Sequence, residues 1–253
     1  MKSTMRSNNQ ELMSLSKIQK RLFTILQEID TIFMEHEIPY VLSFGTLLGA
    51  VRHKGFIPWD DDLDLHIPED YFDTAMMLLK EKLKDNYYVT NQKTDSLSWD
   101  IDARLRDKKT QILDYEDNNG LFIDFFKIKK ISKLNRLNYT LLKKITHKLN
   151  GKFTNNNPLN QSLYKTLFNL FKILYGLTEV CSFKKYLVIS DRNLGGTYKQ
   201  KDVYPFVEVT FCGKSFKAPK NYHFVLKDLY KNYMVLPNEQ DRAKHFTKCI
   251  WKG

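Results

Sequence analysis

The chain of 253 residues has only three cysteines, Cys181, Cys212 and Cys249, which lie far apart and have no CxxC spacing. That scarcity argues against a structural zinc site and fits a reduced compartment. No uninterrupted apolar run approaches the roughly 18 to 20 residues that a membrane span requires. A secretory h-region is missing as well, because the short polar stretch at residues 1–9 leads directly into a helical pattern. Together these absences predict a cytoplasmic protein. No internal repeat, helix-turn-helix pattern or RNA-binding signature stands out, which ranks nucleic acid low among the partners. The composition, 42% hydrophobic and 13% aromatic, excludes disorder, and the length suits one large domain with or without a sizeable appendage.

Acidic residues are also scarce in one place. Residues 127–185 contain thirteen Lys or Arg and a single acid, Glu179, whereas the remainder has 27 basic and 28 acidic residues. The whole excess behind the net charge of +11 therefore sits in one middle segment. Its lysines alternate with Leu, Ile, Phe and Tyr at roughly helical spacing, with a break at Asn155-Asn156-Asn157-Pro158. Such a segment suits an anionic membrane surface, nucleic acid phosphates or a solvated helical lid.

Periodicity supplies the framework. Leu12, Leu15, Ile18, Leu22, Ile25, Ile29 and Ile32 form the stripe of an amphipathic helix reaching about Glu37, and Pro39 ends it. Tyr40-Val41-Leu42 reads as a short strand, and Ser43-Phe44-Gly45-Thr46 as a turn opening a short helix, with Thr46 as N-cap. Asp62-Leu63-Asp64-Leu65-His66-Ile67 alternates with period two, putting Asp62, Asp64 and His66 on one strand face and three aliphatics on the other. A helix follows from Glu69 to about Lys84. Residues 99–107 alternate again, with Ile101, Ala103 and Leu105 on one face and Asp100, Asp102, Arg104 and Arg106 on the other. After the turn cluster at 116–120, residues 121–126 read as an apolar strand holding one acid, Asp124. Residues 207–216 read as a hairpin turning at Cys212-Gly213-Lys214, a last helix follows Pro219, and residues 237–253 read as a polar tail containing Arg242 and His245.

Four aspartates, Asp60, Asp61, Asp62 and Asp64, fall within five positions. Carboxylates at i and i+2 on one strand face reach one hard divalent cation, and an acid on a neighbouring strand, Asp124, completes an oxygen cage of the kind that holds magnesium against phosphates. Asp60 and Asp61 read as solvated loop. Backbone N–H groups at the helix start by Gly45 and Thr46 suit a phosphate. Cations near this site are Arg52, Lys54, Arg104 and Arg106. Arg104 and Arg106 equally suit pairing with Asp100 and Asp102. His53, His66 and His245 read as structural, and Trp59 suits either stacking on a base or fixing its loop. EF-hand spacing is absent.

The stretch "GTLLGAVRHKGFIPWDDDLDL" resembles the LicD family, to which the fukutin-like proteins are related, within the nucleotidyltransferase-fold superfamily. "RLRDKKT", "GLFIDFF", "FKAP" and "LYKNYMVLPNEQDRAKH" agree with it. Two departures are visible: Lys127 follows "FIDFF" where relatives often have proline, and Tyr230-Lys231-Asn232-Tyr233 lacks the glycine common after the first tyrosine. The resemblance implies an α/β fold, a nucleotidyltransferase-like mixed sheet flanked by helices, with a core at 1–126, a basic helical insertion at 127–185 and the rest of the catalytic domain at 186–253. It also implies magnesium-dependent transfer, with manganese as substitute ion, of a phospho-alcohol such as phosphocholine. The donor would be CDP-linked and the acceptor a hydroxyl of a glycan or lipid-linked glycan such as lipopolysaccharide or teichoic acid. Asp62, Asp64 and Asp124 would hold the metal, Asp124 alternatively serving as base for the acceptor. Gly45, Thr46, Arg52, Lys54, Arg104 and Arg106 would bind the donor. On the membrane reading of its charge pattern, the basic segment would set the enzyme beside a lipid-linked acceptor at the inner face of the membrane. Transfer of a nucleoside monophosphate to a small molecule, or a non-catalytic basic binding protein, are the alternative readings.

Overall fold

The structure is a computed structural model that describes residues 11–91, 94, 101–114, 119–137, 166, 170, 173, 177, 184–188, 196–242, 246 and 248–252. His245, Asp100, the break at 155–158 and most of the basic middle segment lie outside the described residues.

The apolar stripe near the N-terminus forms helix α1 (Leu15–Glu35), started by Ser14, whose hydroxyl accepts the Lys17 amide at 3.3 Å. Its buried residues, Ile18, Leu22, Ile25, Leu26, Ile29, Ile32 and Phe33, form one side of the main core. A two-residue strand β1 (Val41–Leu42) leads into α2 (Phe44–His53), then β2 (Leu63–Pro68) and α3 (Glu69–Lys82). Strands β3 (Tyr87–Asn91), β4 (Ala103–Asp107), β5 (Thr110–Ile112) and β6 (Phe122–Ser132) follow. Further along lie β7 (Lys184–Val188) and β8 (Thr197–Lys199), the hairpin β9 (Val207–Phe211) and β10 (Lys214–Ala218), helix α4 (Tyr222–Tyr230) and β11 (Cys249–Trp251).

The central sheet runs β1-β2-β6-β4-β3, and β6 continues to pair with β7, which pairs with β8. Only β2 and β6 are parallel; every other described pairing is antiparallel. The result is a mixed sheet flanked by helices, and no helix among the described residues is long and apolar enough to cross a membrane. Strict alternation sorts the two faces of β2 and β6. Leu63 and Leu65 stand beside Ile123 and Phe125 in the aliphatic core, while Asp64 and His66 stand beside Asp124 and Phe126 on the opposite face.

Three expectations change here. Residues 127–132 belong to β6 and residues 184–188 to β7, so the middle segment is not helical at its ends. At Lys127 the backbone amide donates to Asp102 Oδ2 at 2.9 Å, a bond that proline could not make. The N-cap of α2 is Ser43 rather than Thr46, because the helix starts one residue before the glycine. The C-terminal residues are not a detached polar tail: β11 pairs with β5, Phe246 is buried against Phe122, and Ile250 bridges Leu12. An ion pair secures this closure. Arg21 of α1 donates two 2.8 Å bonds to the fully buried Asp107 and lies 5.4 Å from the ring centroids of both Tyr87 and Trp251. Those bonds to Asp107 raise the pKa of Arg21 despite its partial burial. A single strand's sequence could not reveal that partner, because Arg21 and Asp107 are far apart along the chain.

Candidate active site

The polar face of the sheet is built in rows. Asp64 on β2 is the register partner of Asp124 on β6, and Asp124 is in turn the partner of Arg104 on β4. Register partners point to the same side, so the three side chains share one line across the sheet. All three are buried. Arg104 forks onto Asp124 with Nε to Oδ1 at 2.5 Å and Nη2 to Oδ2 at 2.9 Å, and its guanidinium lies 3.7 Å from the centroid of the Phe122 ring. A planar guanidinium on a carboxylate is the strong, geometrically specific form of ion pair. Arg104 therefore pairs with Asp124, and the Asp102 carboxylate takes the Lys127 amide. Arg106, two residues further along β4, is fully buried beside the same Phe122 ring, at 5.6 Å.

The strand start is fixed from α2. The Asp64 amide donates to Thr46 Oγ1 at 2.8 Å and the Ser43 amide donates to the Asp64 carbonyl at 3.0 Å. Thr46 is thus tied to the acid strand, which leaves its hydroxyl proton available for donation. His66 is buried in an aromatic cluster between Phe44 and Phe126 and is hydrogen-bonded to the Ser43 hydroxyl, in agreement with a structural role.

The loop before β2 is where the structure departs most from expectation. Asp61 is buried rather than solvated, its Oδ2 accepting the Phe246 amide at 3.3 Å. Asp62 is buried too, and ligand oxygens of Asp60, Asp61 and Asp62 lie within 4.8 Å of one another. Among the described residues these three acids are spaced so that they could hold a metal ion, and Asp64 and Asp124 are register partners on the adjoining strands. Gln19 of α1 holds the loop by donating to the carbonyls of Ile57 and Asp60 at 3.2 and 2.9 Å. Gly45 makes room for it, since a Cβ there would come within 2.8 Å of Asp60 Oδ2. The glycine's use is close approach of an acid to the start of α2. A hard, oxygen-only donor set of this kind fits a divalent cation such as magnesium.

The remaining cations surround the loop unequally. Arg52 donates from Nη1 to the Tyr233 carbonyl at 2.8 Å and from Nε to His53 Nε2 at 2.8 Å, so it braces the segment after α4. Burial lowers the pKa of Arg52, opposed by Tyr230 and Asp60, and burial followed by Arg52 lowers that of His53. Lys54 is exposed in a left-handed C-cap, and its carbonyl accepts the Cys212 amide at 2.8 Å. One cation went unrecognised in the sequence: Arg242, in the folded-back C-terminal segment, places its guanidinium 4.3 Å from the Trp59 ring centroid, next to the acid loop. Nothing in the periodicity of residues 237–253 signals that return; the motif "LYKNYMVLPNEQDRAKH" alone marked the segment.

Comparison with known proteins agrees with this assembly. A family model described as "LicD/FKTN/FKRP, nucleotidyltransferase domain" matches residues 37–165, a span that includes the glycine turn, the acid loop, Asp64, Arg104 and Asp124. The lipopolysaccharide cholinephosphotransferase LicD of Haemophilus influenzae is 27% identical over 92% of this chain and 96% of its own length. An uncharacterised protein of Rickettsia typhi is 32% identical over 41% of this chain and 35% of its own length, and one of Rickettsia prowazekii is 46% identical over 18% and 17%. With half of its length matched by the family model and nearly all of it aligned with a LicD phosphotransferase, the chain belongs to the LicD family.

Proposed function

We propose that the chain transfers a phospho-alcohol, phosphocholine first among the choices, from a CDP-linked donor to a hydroxyl of a cell-surface glycan. The observation that carries this reading is the row Asp64-Asp124-Arg104 lying directly beside the acid loop Asp60-Asp61-Asp62. Support for choline comes from the Haemophilus relative, named as a lipopolysaccharide cholinephosphotransferase.

Asp60, Asp61 and Asp62, with Asp64 alongside, would hold magnesium or manganese. A divalent cation bound there would neutralise donor phosphate oxygens and favour departure of the nucleotide. The protein's own groups do the rest. The start of α2 at Gly45 offers backbone N–H groups to a donor phosphate, and the Thr46 hydroxyl, positioned by the Asp64 amide, can donate to it. Arg242, held on Trp59, and Arg52 supply positive charge beside the loop. In this reading Asp124, oriented by the two bonds from Arg104, receives the proton of the attacking glycan hydroxyl. Arg104 positions that carboxylate.

A lipid-linked acceptor would put the enzyme beside the inner face of a membrane. Leu170, Ile173 and Leu177 of the basic middle segment are helical, spaced three and four apart, and all exposed, which suits an amphipathic face on anionic lipid. Thermal-shift binding of CDP-choline, CDP-ribitol, CDP-glycerol, CTP and ATP, with and without magnesium, tests the donor class. Magnesium-dependent stabilisation by one CDP-alcohol is the expected outcome. Preference for CTP or ATP would instead indicate transfer of a nucleoside monophosphate.

A further inference from the structure

Residues 224–236 present an apolar surface rimmed by lysine. Helix α4 ends at Lys231, whose φ of 58° turns the chain into Asn232-Tyr233-Met234-Val235-Leu236. Met234, Val235 and Leu236 are 58%, 61% and 52% exposed, and Phe224 on α4 is 49% exposed. A run of three exposed apolar residues is unfavourable in water unless something covers it.

The backbone beneath this run is braced. The Val235 amide donates to the Asn232 carbonyl at 3.0 Å, Arg52 holds the Tyr233 carbonyl at 2.8 Å, and the Tyr233 hydroxyl is hydrogen-bonded to His223. The fold thus fixes the loop while leaving its apolar side chains outward. Lys227 and Lys231 line the same hollow of about 700 Å³ as Phe224, Tyr233 and Met234. The acid in that lining, Asp228, accepts the Tyr198 hydroxyl at 3.0 Å, so its carboxylate is engaged by the neighbouring β8.

We propose that this surface docks on an anionic lipid bilayer. Met234, Val235, Leu236 and Phe224 would enter the boundary between headgroups and acyl chains, and Lys227 and Lys231 would meet lipid phosphates. Charge complementarity selects an anionic bilayer over a neutral one. The exposed stripe Leu170-Ile173-Leu177 in the basic segment provides a second membrane signal, and stable peripheral attachment takes two. Because Arg52 joins the loop to α2, docking here would seat the candidate active site next to a lipid-linked acceptor. Lipid binding needs neither donor nor turnover, so this inference and the donor assignment fail separately.

The test is co-sedimentation of the full chain with vesicles of phosphatidylcholine, alone or mixed with phosphatidylglycerol. Met234→Glu/Leu236→Glu should weaken binding to the anionic vesicles at least about tenfold, and Lys227→Gln/Lys231→Gln should weaken it about fivefold per lysine. Circular dichroism should be unchanged in both. A Met234→Trp variant keeps the loop otherwise native and reports on it directly, its added emission shifting to the blue only with anionic vesicles. Unchanged affinity in both double variants, or an unmoved Met234→Trp signal, would overturn the proposal. Self-association lost in the Met234→Glu/Leu236→Glu variant, without lipid binding in the parent, would overturn it too by identifying a second copy as the occupant.

Discussion

Asp124 is enclosed by protein and meets the guanidinium of Arg104 from the next strand, whereas Asp60, Asp61 and Asp62 are gathered on a loop with their oxygens within 4.8 Å of one another. At such spacing like charges repel one another. Gln19 holds the loop, the Phe246 amide reaches Asp61, and Gly45 leaves space for Asp60. The fold thus holds these acids close together, and it sets Arg104 on Asp124. Asp124 is thus oriented by a guanidinium from its own sheet and the loop acids are gathered against one another; in the proposed function the first is the base and the second the cation site.

Substitutions at the two places should therefore fail in opposite ways. Asp62→Ala is expected to lower turnover on the order of 10³-fold, the scale of losing a principal electrostatic contact at the reacting phosphate. Its unfolding midpoint without divalent ions should stay close to the parent's; a large drop in thermal stability would erase the distinction. Asp124→Ala strands a buried guanidinium and should cost about 3 to 5 kcal/mol in denaturant unfolding. An Arg104→Met/Asp124→Leu double variant should recover most of that stability without recovering turnover. Phe246→Ala sharpens the comparison from the other side, because Phe246 links the returning C-terminal segment to both Phe122 and Asp61. A loss of about 3 kcal/mol is expected from the emptied volume, with weaker stabilisation by magnesium. Gly45→Ala has the smallest expected effect. It should displace the Asp60 carboxylate and slow turnover about tenfold or more, with the unfolding midpoint little changed.

How much of this was legible in the chain depends on how local the cause is. The alternation Asp62-Leu63-Asp64-Leu65 identified β2, and the solitary Asp124 among Phe and Ile identified the next strand, because both signals have period two and act within a few residues. Cys212-Gly213 marked the hairpin turn for the same reason, and both residues take positive φ. The partner of Asp124 was not legible as such. Arg104 was visible as a cation on a polar strand face, but only the order β2-β6-β4 puts it opposite Asp124. Burial of Asp61 and the position of Arg242 depend on the chain's return from residue 237 onward. That return is held by β11 on β5 and by Phe246, contacts between distant segments that leave no periodic trace. The end of β6 was misjudged because Ile128, Lys129, Lys130 and Ile131 combine lysine and isoleucine in a way that a helix and an edge-paired strand share equally well.

The most direct test of the central claim is release of CMP from CDP-choline by the purified chain in the presence of a lipopolysaccharide acceptor, with and without magnesium, for the parent and for Asp62→Ala. CMP release that requires both magnesium and acceptor, and that disappears in a folded Asp62→Ala protein, is the predicted result. Equal CMP release by Asp62→Ala and the parent would contradict the assignment of the acid loop as the reacting centre.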